Sequence, residues 1–165
     1  MPESDLPPVY GGESLHVHLD EGASEVDAID AADARRFLGG NGFAAQAGHD
    51  HVPADADPFA PENVVAFTVG PMNGTPFPST SRGVVGFVSP QTNGFFDRTF
   101  GGTFPRAQHT TGFHRPVLPS PTDELAYAHV DDEAPRAVPA PHLPRPATNQ
   151  PRHAVAALAP ADAPT

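Results

Sequence analysis

The 165-residue chain carries twenty acidic residues against nine basic ones, a formal net charge of -11, and all nine basic residues are arginine. Lysine, cysteine and tryptophan are absent, which excludes a Walker A phosphate loop, Schiff-base chemistry, a thiolate nucleophile, disulfides and cysteine-held zinc or iron–sulfur centres within these residues. A surface of this sign repels nucleic acid and anionic membranes, and a chain of this length with 38% hydrophobic residues predicts one domain with a lean core.

The predicted elements begin after a flexible stretch, residues 1–13, which lacks the basic start and apolar run of a signal peptide. Residues 14–19, SLHVHL, alternate and read as a first strand. An acidic turn then leads into a helix with Asp30 as N-cap, Asp33 in its first turn and Gly39-Gly40 at its end. A second short helix is expected over residues 43–49. The segment DPFAPEN, residues 57–63, turns the chain through Pro58 and Pro61 into a strand over residues 63–69. A further strand is expected over residues 83–88, because β-branched and aromatic residues fill both runs between turn-formers.

Half of the 22 prolines lie at or after Pro116. Proline at that density denies strands their donors and helices their turns. Pro116, Pro119, Pro135 and Pro139 are therefore hostile to strand structure around them. Residues 124–130, ELAYAHV, keep a strand pattern, and residues 134–165 read as a poorly ordered Pro/Ala-rich tail with at most a helical turn at 154–158. No segment reaches the ~18 apolar residues of a membrane span. A cytoplasmic location is expected, and the acidic, lysine-free composition fits either a high-salt cytoplasm or codon bias.

Candidate chemistry concentrates between Pro61 and Gly102. The connection GPMNGTPFPSTSRG, residues 70–83, offers backbone N–H groups, hydroxyls and a lone guanidinium, Arg82, a set suited to phosphate or another polar anion. Residues 97–103, read as a loop, add Thr99-Phe100-Gly101-Gly102; if the flanking strands share a sheet, both connections reach one ligand. Arg82 could equally be a structural residue that ties down a turn. The pairs His16-x-His18 and His49-x-His51 suggest a metal, but no third ligand is spaced to complete a site. Asp131, Asp132 and Glu133 read as a solvated charge run, and Gly39-Gly40-Asn41-Gly42 as a helix end rather than a phosphate cradle.

Several of these motifs occur in a familiar order. D-P-x-x-P-E-N at Asp57 to Asn63, G-P-M-x-G-T at Gly70 to Thr75, Arg82, S-P-x-T at Ser89 to Thr92 and G-G at Gly101-Gly102 resemble the N-terminal domain of the aldehyde ferredoxin oxidoreductases, tungsten-pterin enzymes. Weaker similarity reaches from Ala34 to Leu143. The resemblance implies an α+β fold, a β-rich base over residues 14–133 that carries a tungsten (or molybdenum) bis-pterin cofactor. In the intact family, aldehydes are oxidised to carboxylates and electrons pass through a [4Fe–4S] cluster to ferredoxin. Carried over by position, Arg82 matches a pterin-contacting arginine, Thr99 stands where the family usually has asparagine, and Gly101 matches a glycine whose backbone lies against the cofactor. The family's cluster cysteines and later domains have no counterpart here, so the chain is expected to be a truncated domain, not catalytic alone, with another chain as a possible source of the missing parts. A cofactor-free structural or interaction domain is the alternative, and a small anion-binding module a third reading.

Overall fold

The computed structural model describes residues 6–7, 9–10, 12–18, 23–119, 126–130 and 136–139. It is an α+β fold whose strands, in chain order, are β1 (Glu13–His18), β2 (Ala23–Ala28), β3 (Val64–Val69), β4 (Gly83–Ser89), β5 (Gly94–Phe100), β6 (Phe113–Pro119), β7 (Ala126–His129) and β8 (Arg136–Pro139). Three helices accompany them: α1 (Ala31–Phe37), α2 (Asn41–His51) and α3 (Phe104–Thr110). Six strands form one mixed sheet in the order β2-β1-β6-β3-β4-β5, while β7 and β8 pair separately. Only the β1–β6 contact in the large sheet is parallel.

The start of the chain follows its local signals. Asp30 accepts a hydrogen bond from the Ala32 amide at 2.6 Å and so caps α1. Leu38 then enters the left-handed region at φ 63°, followed by Gly39 at φ 123° and Gly40 at φ 51°. This turn docks on the end of β3. The Gly40 amide donates to the Val69 carbonyl at 3.2 Å, Thr68 Oγ1 donates to the Gly40 carbonyl at 2.8 Å, and a Cβ on Gly39 would lie 2.9 Å from Val69 O. Only glycine fits there, so Gly39-Gly40 is a helix end joined to the sheet. The helix that follows, α2, runs two residues beyond the expected 43–49 span at each end.

α2 lies across β3, β4, β5 and β6. Ala47 packs with Val64, Ala66 and Val117 to form the central cluster. Leu15, Val17 and Phe113 form a second cluster with Leu118 and Val130, and Ile29, Ala34 and Phe43 a third with Tyr10 and Phe37. A partly buried polar relay links these layers. Arg115 donates from Nε to Ser14 Oγ at 3.0 Å and from Nη1 to Gln46 Oε1 at 2.8 Å, and Gln46 Nε2 donates to Asp33 Oδ2 at 2.6 Å. Burial lowers the Arg115 pKa, and the carboxylates of Asp33, Asp50 and Asp27 oppose the shift.

Four differences from the sequence expectations have physical causes. β2 lacks apolar alternation because it is a sheet edge; its exposed acidic residues face water, and only its register with β1 makes it a strand. Residues 97–100, expected in a loop, belong to β5, the opposite edge, where Asp97 and Arg98 are tolerated. α3 follows Thr103 with a proline in its first turn, where the missing N–H costs nothing.

The fourth correction concerns the prolines. β6 is an interior strand despite Pro116 and Pro119. Pro119 is its last residue, opposite Val64, and Pro116 lies just before the β3 ladder, which runs from Val117 to Pro119. On the β1 side Pro116 follows a bulge at which Phe113 and Arg115 pair with the consecutive residues Glu13 and Ser14. Pro119 thus ends the strand, and Pro116 pairs with Leu15 directly after the bulge and outside the β3 ladder, positions where a missing donor is tolerated. β8 likewise pairs with β7 from Arg136 to Pro139, within the segment expected as tail. The helical turn expected at 154–158 and the acidic run at 131–133 lie outside the described residues.

Candidate cofactor site at one edge of the sheet

The antiparallel pairing of β4 with β5 brings the two Gly- and hydroxyl-rich connections together. Gly83 pairs with Phe100 and Val84 with Thr99, so Arg82 and Gly101 follow as the next step at the same end. A Cβ built on Gly101 would lie 4.0 Å from Arg82 Cδ and 3.5 Å from the Ser81 carbonyl oxygen. Ser81 Oγ donates to the Gly102 carbonyl at 2.5 Å and ties one connection to the other.

Asn73, only 3% exposed, holds the backbone of Arg82. Its Oδ1 accepts from the Arg82 amide at 3.1 Å and its Nδ2 donates to the Arg82 carbonyl at 2.9 Å, while Nδ2 also reaches Gly70 O at 3.3 Å. One buried carboxamide thus fixes the start of β4 against the turn after β3. The Arg82 guanidinium itself is exposed and makes no hydrogen bond or ion pair with a described residue. Among the described residues its backbone is held while its side chain ties down no turn.

Gly101 is not demanded by the fold. Its φ is not positive, and an added Cβ would meet only ordinary van der Waals contacts. Gly102, by contrast, has φ 93° and is conformationally required. Thr99 is exposed on β5. By strand alternation it shares a face with Asp97, whose carboxylate accepts a hydrogen bond from Asn41 Nδ2 at the start of α2. α2 opens at this end with Gly40 as N-cap, no side-chain cap and no acidic residue in its first turn, an arrangement that favours negative charge nearby. The three expected residues, Arg82, Thr99 and Gly101, therefore share one edge of one sheet. Asn73 and Ser81, which shape that edge, were hidden in the turn composition of residues 70–83; the asparagine three residues after Gly70 is the signal that could have drawn attention to it.

The histidine pairs are arranged differently. His16 and His51 meet edge to face with ring centroids 5.1 Å apart, beside a cleft of about 230 Å³ also lined by His18 and Glu62. His16 lies 3.6 Å from Asp27, His18 4.0 Å from Glu25, and His49 2.9 Å from Asp50. Burial, followed by His51, lowers the His16 pKa. Among the described residues no three His, Asp or Glu side chains are placed to hold a metal ion, and no helix is long and apolar enough to cross a membrane.

Comparison with known proteins places this edge in context. The family described as aldehyde ferredoxin oxidoreductase, N-terminal domain, matches residues 14–155. The tungsten-containing aldehyde ferredoxin oxidoreductase of Thermococcus kodakarensis is 30% identical over 127 residues, which span 76% of this chain and 21% of that protein. Its counterpart in Pyrococcus horikoshii is 29% identical over 124 residues, 75% of this chain and 20% of that protein. Among solved structures, a chain of the active-site complex BamBC of benzoyl coenzyme A reductase, in complex with 1,5-dienoyl-CoA, superposes with a TM-score of 0.85 at 29% identity. That match covers 91% of this chain and 23% of the other. The chain thus spans about a fifth of the length of the tungsten enzymes it matches. It belongs to the aldehyde ferredoxin oxidoreductase family, as an N-terminal domain of that type.

Proposed function

We propose that these residues form one wall of a tungsten- or molybdenum-pterin site in an oxidoreductase that acts on aldehydes with ferredoxin as electron acceptor. The observation that carries the reading is the pairing of Arg82, backbone-clamped but with no partner for its guanidinium among the described residues, with Gly101, a glycine the described fold does not need. An unpaired guanidinium supplies fixed charge and a planar set of donors for a phosphate or a pterin edge. A missing Cβ lets a flat ligand approach the backbone. Thr99 replaces the family's usual asparagine; a contact through its backbone carbonyl survives that exchange. When bound, the metal-pterin supplies the redox chemistry, and these residues supply orientation and charge.

The 165 residues contain no cysteine, so a [4Fe–4S] cluster and the rest of the reaction centre require polypeptide other than these residues. The domain alone is accordingly proposed to be inactive. The test is tungsten and pterin content of the purified assembly that contains this chain, wild type against Arg82→Ala. Loss of most of the bound cofactor in the variant supports the reading. Equal content in both would contradict it, and a folded wild-type chain that never retains pterin would favour a structural or interaction domain.

A further inference from the structure

The connection between β3 and β4 has a second side that the Arg82–Gly101 edge does not use. An open cleft of about 180 Å³ lies between it and α3, lined by Gly74, Thr75, Phe77, Ser79, Thr80, Ser81 and, from α3, Arg106. Arg82 does not line it. The two sides are joined by Ser81, whose carbonyl approaches Gly101 and whose hydroxyl holds Gly102, and by Thr80, whose carbonyl accepts from the Arg82 amide at 2.9 Å.

The chemistry of this cleft is that of an anion acceptor. Thr75 Oγ1 donates to Met72 O at 2.7 Å and Thr80 Oγ1 to Phe77 O at 3.0 Å, so these hydroxyl protons are spent on holding the loop in shape. The donors that remain are the Ser79 hydroxyl, which has no partner among the described residues, and groups on the main chain. The amides of Gly74, Ser79, Thr80 and Ser81 have no acceptor among the described residues, and positive φ at Gly74 (74°) and Ser79 (62°) turns the chain sharply on either side. Arg106 is exposed and has no ion-pair partner among the described residues, in a chain with twenty acidic residues to its nine arginines. Unengaged amides opposite an unpaired guanidinium suit a compact, tetrahedral anion.

We propose that Arg106 and the 74–81 connection form a phosphate-binding subsite, separate by its residues from the Arg82–Gly101 edge. The group it takes is a terminal phosphate, either that of a small phosphate ester free in solution or that of a cofactor seated at the neighbouring edge.

The experiment is a titration of inorganic phosphate into the isotope-labelled full chain at constant ionic strength and mildly alkaline pH, followed by the amide resonances of Gly74 and Ser79 to Ser81. The expected result is saturable shifts at those amides, weakened about fivefold or more by Arg106→Gln and changed less than about twofold by Arg82→Gln. Shifts that do not saturate, or that persist unchanged in Arg106→Gln, overturn the proposal. Equal weakening by both substitutions overturns the separation of the two sites. A repeat on the cofactor-loaded assembly distinguishes the sources: amides already saturated there identify the cofactor's own phosphate, and amides still open to added phosphate identify a free ester. Because the primary titration uses no pterin, its failure is distinct from failure of the cofactor reading.

Discussion

At the residue scale, the site rests on a division of labour between groups that hold and groups that are left open. Asn73 spends its carboxamide on both backbone groups of Arg82 and so fixes where the guanidinium starts. Asn73→Ala removes the donor to the Arg82 carbonyl and leaves the Arg82 amide with the Thr80 carbonyl as its acceptor, and is expected to cost about 1 kcal/mol in thermal or denaturant unfolding. In the same variant the Arg82 amide should exchange hydrogen faster than in wild type, and unchanged exchange would show that the clamp is dispensable. In the sequence Arg82 and the Thr99–Gly102 stretch stood out as polar, glycine-rich connections, but only the resemblance to a family attached them to a cofactor, since no spacing rule places an arginine against a glycine nineteen residues on. The register of β4 with β5 is what brings them together. Asn73 was illegible for the converse reason, because its role depends on a backbone that returns beside it nine residues later.

At the element scale, local signals predicted β1, α1, α2, β3 and β4 because each carries its own periodicity or cap. The two sheet edges, β2 and β5, were missed or misread because an edge strand is specified by its neighbour's ladder more than by its own side chains. β6 was misjudged on its prolines, and its Arg115 explains part of what secures it. The side chain of this half-buried residue joins β1, α2 and, through Gln46, α1. Arg115→Ala is expected to lower stability by about 3 kcal/mol, measured by chemical denaturation, because it strips the relay and leaves Asp33 and Gln46 poorly paired. A loss below about 0.5 kcal/mol would mean that the relay is ornamental.

At the scale of the whole molecule, two coupled histidines set an acid limit. His109 on α3 and His114 on β6 meet at 3.0 Å, Nδ1 to Nε2, a contact that needs at least one neutral ring. Burial, then His109, pushes the His114 pKa from 6.5 down to about 4, and burial lowers His109 as well. The unfolded chain therefore takes up protons that the folded one refuses. The stabilisation is complete above pH 6.5, declines as pH falls toward 4 and amounts to on the order of 3 kcal/mol. The melting temperature of the wild type should fall across that interval, and the fall should be shallower in His114→Phe. Parallel pH profiles for the two proteins would contradict the assignment.

The account as a whole turns on whether the Gly101 edge is kept open for a ligand. Gly101→Ala adds one methyl where the fold has room for it, so the variant's unfolding free energy should lie within about 0.5 kcal/mol of wild type. The decisive measurement is bound tungsten, molybdenum and pterin in the purified assembly carrying that variant. The account predicts a loss of most of the cofactor from a protein of unchanged stability; wild-type cofactor content in a fully folded Gly101→Ala assembly would contradict it.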